Sequence, residues 1–145
     1  LDNLKGNGDS VLTFESKLLS LDLAAEALHM GFMLIFKIFR STEWAELRAN
    51  GETAGAPIDV TDGYVHFSTA EQAAETAAKH FAGEKGLFLL GVETDALGDD
   101  LVWEPSRGGA LFPHLYRVFK IEDVAWAQPL PLQDGVHQFP AGLGL

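Results

Sequence analysis

From Met33 onward, short apolar runs alternate with polar stretches punctuated by glycine, and each run has the length of one secondary-structure element. Leu34–Phe39 predicts an opening strand. Ser41-Thr42-Glu43 predicts the cap of a short helix through Leu47 to Asn50, with Gly51 as its stop. Residues 51–63 are rich in Gly and Ala and broken by Pro57, which predicts a loop. Asp62-Gly63 is a turn signal, because glycine adopts positive φ without penalty. A strand over Tyr64–Phe67 follows, with side chains alternating between faces. Val65 and Phe67 then face the core, while Tyr64, His66 and Ser68 share the opposite face. The alanine-rich run Ala70–Phe81 predicts a longer helix, with Ser68 and Glu71 as its capping box. Its small-residue stripe of Ala70, Ala73, Ala74, Ala77, Ala78 and Phe81 suits close approach to a sheet. Leu87–Glu93 is continuously apolar, as expected of a central strand buried on both faces. Leu101–Glu104, Leu115–Phe119 and Val124–Ala127 are further strands, and Ser106–Pro113 is a loop. Two main helices and five or six short strands without a βαβ rhythm describe an α+β domain.

The first 32 residues break this rhythm. Residues 1–9 form a Gly/Asn-rich tail, and 15–30 carry a leucine- and alanine-rich pattern of helical length. Asp22 and Glu26 interrupt that apolar stretch and no basic region precedes it, which argues against a secretory leader. Met30 and Met33 are both candidate translation starts. Residues 1–32 are therefore expected to be an extension, either appended or docking as a helix, and 33–145 a single domain.

Charge and cysteine content narrow the function classes. Ten Lys and Arg face 21 Asp and Glu, a formal charge of −11. Nucleic-acid binding draws on clustered cations neutralising phosphates, so no nucleic-acid track is expected. The chain has no cysteine, which removes disulfides, thiolate metal sites and a cysteine nucleophile and points to the cytoplasm. No apolar run reaches the roughly 20 residues of a membrane span. HExxH, P-loop and G-x-S-x-G motifs are absent. His29, His66, His80, His114 and His137 lie far apart, so no zinc site is expected.

Two segments carry candidate chemistry. In the first, His66, Ser68 and Thr69 stand beside a helix N-terminus, where amides favour a polar or anionic ligand. His66 reads as a ribose contact or proton carrier, or else as a structural histidine bonded to backbone; Ser68 reads as a cap or a ligand contact. The second segment joins Trp103-Glu104-Pro105-Ser106-Arg107-Gly108-Gly109 to Phe112-Pro113-His114-Leu115-Tyr116. There Arg107 and the amides around Gly109 suit a phosphate or carboxylate, and His114 and Tyr116 share a face. The alternative is a Glu104–Arg107 ion pair that pins the loop. Glu104 with His114 also has the residue types of an acid–base pair in a hydrolase.

Asp62–Thr69, with Trp103–Gly109 and Phe112–Tyr116, resembles domain-of-unknown-function family 952 over about residues 33–130. The resemblance implies the ADP-ribosyltransferase fold, a compact split antiparallel sheet with two main helices and a nicotinamide-dinucleotide cleft. The Val-His-Phe-Ser segment is also similar to the Val-His-Leu-Ser segment of RNA 2′-phosphotransferases, which implies a ribose contact for His66. On this resemblance NAD or an ADP-ribose-like nucleotide is the expected small-molecule ligand. His66, Ser68, Thr69, Arg107, Gly109, His114 and Tyr116 would bind it. Glu104, with His66, would stabilise an oxocarbenium-like ribose in a transferase or glycohydrolase. The alternative is a non-catalytic ligand-binding or protein-interaction module on the same fold.

Overall fold

The computed structural model describes residues 33–141 and Leu143, with Arg107 described by its backbone only. The expectations for residues 1–32 fall outside this range. Among the described residues the fold is mixed α and β, with several antiparallel sheets and few helices.

β1 (Leu34–Arg40), β4 (Leu87–Glu93) and β8 (Val124–Leu130) form one three-stranded sheet with β4 in the centre. The apolar run 87–93 takes this place because both of its faces meet other elements. On one face Phe36, Ile38, Leu87, Leu89, Trp126 and Leu130 pack against Ala77 of helix α3 (Ala70–His80). On the other, Ile35, Phe39, Leu90 and Val92 join Trp44 and Leu47 of helix α1 (Ser41–Asn50), together with Val65, Phe67 and Leu115. Pro129 is tolerated in β8 because β8 is an edge strand, where a missing N–H leaves no ladder bond broken.

The second three-stranded sheet has the order β3-β6-β5, from β3 (Val65–His66), β6 (Leu111–Leu115) and β5 (Leu101–Pro105). Residues 65–68 join the two sheets. His66 pairs with His114 of β6, and the Phe67 amide donates to the Pro113 carbonyl at 3.0 Å. Ser68 then exchanges both backbone hydrogen bonds with Phe36 of β1, at 2.8 and 2.9 Å. One short segment thus leaves one sheet and enters the other.

Several boundaries differ from expectation. Pro57–Asp62 is a helix, α2, rather than loop. Pro57 occupies its first turn, where a missing N–H costs nothing, and Asp59 accepts the Ala56 amide there at 2.7 Å. The cap of α3 is Thr69, not Ser68. Its hydroxyl accepts from the Gln72 amide at 3.3 Å, and the Gln72 side chain accepts from the Thr69 amide at 3.0 Å. Ser68 is still committed to the strand, so the cap and its box fall one residue later than Ser68 and Glu71. Arg40 precedes α1, and Glu43 accepts its amide at 2.8 Å, so Ser41 is already helical. In α3 only Ala73 and Ala77 are fully buried, while Ala74 and Ala78 face outward. β6 starts at Leu111 and ends at Leu115, so the expected strand over Leu115–Phe119 is mostly turn, with Phe119–Lys120 forming the short β7. The reason is the tight turn at 106–110, whose Gly108 and Gly109 have positive φ, which folds β6 back onto β5 at once.

Gly91 is a closely packed point of the core. It lies between Phe36 and Trp126 in the sheet register. A Cβ there would sit 2.5 Å from Trp126 Cε2. Gly91→Ala is therefore expected to destabilise the domain by about 1–3 kcal/mol through overpacking, read as a lower midpoint in urea unfolding with an unchanged slope.

Candidate functional site

At the floor of the site is Asp59, whose side chain is 0% exposed and whose carboxylate has four donors around it. Oδ2 accepts from the Ala56 amide at 2.7 Å and from Lys37 Nζ at 2.8 Å. Oδ1 accepts from the His66 amide at 3.0 Å and faces His66 Nδ1 at 2.6 Å. Lys37 is itself buried and also donates to the His66 carbonyl at 2.8 Å. Gly55, at φ +107, makes room for this carboxylate, since a Cβ would lie 2.6 Å from that of Asp59. Burial pushes the Asp59 carboxyl up, but its bond to His66 and the charge of Lys37 outweigh that and hold it below the usual range. Burial drives the Lys37 ammonium down, against the opposing pull of Asp59.

Asp59 also aims an imidazole. With Nδ1 on Asp59, the Nε2 of His66 lies 3.0 Å from Asp62 Oδ2. A neutral imidazole has one N–H, so both carboxylates are satisfied together only by the doubly protonated ring. Opposite His66, His114 places Nδ1 at 2.6 Å from Glu104 Oε1. Tyr116 donates its hydroxyl to the same carboxylate, at 2.8 Å to Oε1 and 3.0 Å to Oε2. Tyr64 lies across the row, its ring 4.2 Å from that of His114 and stacked, 4.6 Å from His66 and 5.1 Å from Tyr116. These residues share one sheet face because strand alternation puts them there. The bond from His114, then that from Tyr116, holds the Glu104 carboxyl below its usual range. The same bond to Glu104 pushes the Tyr116 phenol up to about 12. Burial, then the charges of Asp62 and Glu104, raises Tyr64.

Residues of both sheets line a cleft of about 770 Å³. Apolar walls come from residues such as Phe36, Ile38, Phe81 and Phe112; Lys37, His66, Ser68 and His114 supply polar groups. That volume is in the range of small-molecule pockets. Among the residues singled out from sequence, His66, Ser68 and His114 line this cleft, and Ser106 is at its edge. Glu104 reaches it through His114, and Tyr116, 44% exposed, braces Glu104. Thr69 is the cap of α3, and Gly109 lies in the exposed turn before β6. The side chain of Arg107 is outside the described residues, so its expected phosphate contact and its pairing with Glu104 fall there too. Ser68, expected to contact ligand or cap the helix, spends its hydroxyl on Thr76 Oγ1 at 2.8 Å. Sequence reasoning missed Asp59, Lys37 and Asp62. The signal for Lys37 was a charge on the inward face of an apolar strand; Asp59, two residues after Pro57, had the spacing of a helix first turn.

Residues 38–127 match the family described as "Protein of unknown function (DUF952)". The chain belongs to this family. The crystal structure of protein CC0527 from Caulobacter crescentus is similar, with 49% identity, a TM-score of 0.73, and coverage of 77% of this chain and 99% of that one. The solution NMR structure of the same bacterial protein gives 50% identity and a TM-score of 0.66, covering 72% and 91% of the two chains. No curated protein matches the chain. No helix among the described residues is long and apolar enough to cross a membrane.

Two consequences of this DUF952 site are measurable. Asp59→Asn leaves Lys37 buried without its counter-charge, a class of change that costs about 3–5 kcal/mol. Urea unfolding at neutral pH should show that loss. Because the folded-state value for Asp59 lies below its ordinary 3.8, its contribution is present above that value and lost as pH falls through the folded value. The wild-type protein should accordingly lose stability more steeply than Asp59→Asn below about pH 4. Separately, Glu104→Gln should return the Tyr116 titration from about 12 towards 10, followed by phenolate absorbance with Tyr116→Phe as the reference.

Proposed function

We propose that the cleft is a small-molecule site that takes a nucleotide of the ADP-ribose or NAD kind by its ribose. The observation that carries this reading is the orientation of His66. Asp59 holds Nδ1, so Nε2 is directed at Asp62 on the partly exposed side, where a sugar hydroxyl can replace or join that carboxylate. The ring of Tyr64 lies beside it, tilted at 4.6 Å, and that of His114 lies edge-on at 5.3 Å. The resemblance to the ADP-ribosyltransferase fold supports the same reading, with the split between sheets as the place for the ligand.

Electrostatics selects the ribose over the pyrophosphate as the anchored part. Lys37 is held by Asp59, and Arg40 is held by Glu84 at 2.9 and 3.1 Å and by Glu43 at 3.4 Å. These two cleft-lining cations are thus already neutralised. A second reading, a ligand-binding module without catalysis, is favoured by one observation. Glu104 is engaged by both His114 and Tyr116, which leaves it poorly placed to stabilise a ribosyl cation directly.

Thermal melting with NAD, ADP-ribose and nicotinamide mononucleotide tests the site. Ligand at 100 times its Kd adds about 2.7 kcal/mol of stability, and His66→Ala should remove the gain. Unchanged melting with all three would overturn the nucleotide reading. Released nicotinamide in the NAD sample separates an enzyme from a binder.

A further inference from the structure

His114 is the feature of the cleft that its internal bonding leaves unexplained. It is 3% exposed, and its Nε2 is buried with no hydrogen-bond partner among the described residues. A buried polar atom in that state is unfavourable, because it has given up water without a replacement. Most such atoms are paired, so an exception needs a reason. Neighbouring polar groups do not supply one. Nδ1 is bound to Glu104, Tyr64 lies on the ring face, and His66 meets it edge-on at 5.3 Å. The residue lines the cleft, directly across the sheet from His66.

The chemistry of Nε2 follows from its partner. A carboxylate accepts hydrogen bonds only, so Glu104 at 2.6 Å fixes the proton on Nδ1. In the neutral ring Nε2 then carries a lone pair and needs a donor. We propose that His114 is a second ligand-contacting group, whose Nε2 accepts from a hydroxyl of the bound molecule, with Glu104 as the positioning residue that sets its tautomer. The class of ligand is a vicinal diol, such as a sugar ring. His66 Nε2, exchanging Asp62 for the ligand, donates to one hydroxyl, and His114 Nε2 accepts from its neighbour. For the ligand to reach the ring, half-buried Tyr64, stacked on it at 4.2 Å, has to turn aside. The inference rests on the ribose reading for where the ligand sits, but not for its being a nucleotide.

The test uses the full chain labelled with ¹⁵N at histidine and observed by long-range ¹H–¹⁵N correlation near neutral pH. Ethylene glycol serves as the vicinal diol. Its dimethyl ether, which has no O–H to donate, serves as the control. The expected result is a His114 ring with Nδ1 protonated and Nε2 bare, whose Nε2 signal shifts with the diol and not with the ether. Glu104→Ala should mix the tautomers and abolish the shift, whereas Glu104→Gln, whose amide oxygen still accepts from Nδ1–H, should restore part of it. A proton on Nε2 in the wild-type protein, no shift with the diol, or an equal shift with the ether would overturn the proposal. The wild-type measurements decide this even if a variant does not fold. A diol response without any melting shift from ADP-ribose would leave His114 standing and sink the nucleotide reading instead.

Discussion

A carboxylate with no access to water organises this domain. Ionised Asp59 cannot be buried without several donors, and its donors come from three separate places in the chain. Lys37 comes from β1, the His66 amide and ring from β3, and the Ala56 amide from the start of α2. These contacts hold three elements in one arrangement. Each is geometrically demanding, because removing any donor leaves charge uncompensated in a poorly solvated place. The same contacts that fix the fold locally also fix the direction of the His66 ring, so structural and functional roles coincide in a single side chain.

The cleft has a different origin, in the path of residues 65–68. A strand pairs with one neighbour on each side, and this segment spends its first half on β6 and its second on β1. The sheets it joins must separate beyond that point. Side chains of both line the gap, and α3 borders it because Thr69 starts the helix immediately after the crossing. A site placed there draws its groups from distant parts of the sequence. Its polar side is the face of β3 and β6 that alternation turns away from Val65 and Leu115, and those two residues are among the most buried in the protein.

Much of the local architecture was legible in the sequence. The apolar run 87–93 is the central strand, Gly51 stops α1 in the left-handed conformation, and Tyr64, His66, His114 and Tyr116 share a face. Each rests on a short-range rule of alternation or turn chemistry. Errors came where a residue had two local uses. Pro57 reads as a breaker although it also begins helices. Ser68 reads as a cap, but its backbone is paired with Phe36, which passes the cap to Thr69. The hub itself was not legible, because an inward charge at Lys37 and a first-turn carboxylate at Asp59 carry no sign in the sequence that they meet.

The chain by itself determined which residues alternate inward and outward and, α2 and the strand expected over 115–119 apart, where its main strands and helices fall to within a few positions. It also determined that the candidate chemistry is imidazole, phenol and carboxylate rather than thiol or a metal-binding motif. Those properties follow from side-chain type and spacing of a few residues. Only the tertiary structure decided that Asp59 answers Lys37 and His66, that Glu104 answers His114, and that a cleft opens between the sheets. The pairs Lys37–Asp59 and Glu104–His114 are 22 and 10 residues apart in sequence, numbers that carry no preference for contact. Their partners are chosen by the exclusion of water from the space where the chain crosses between sheets.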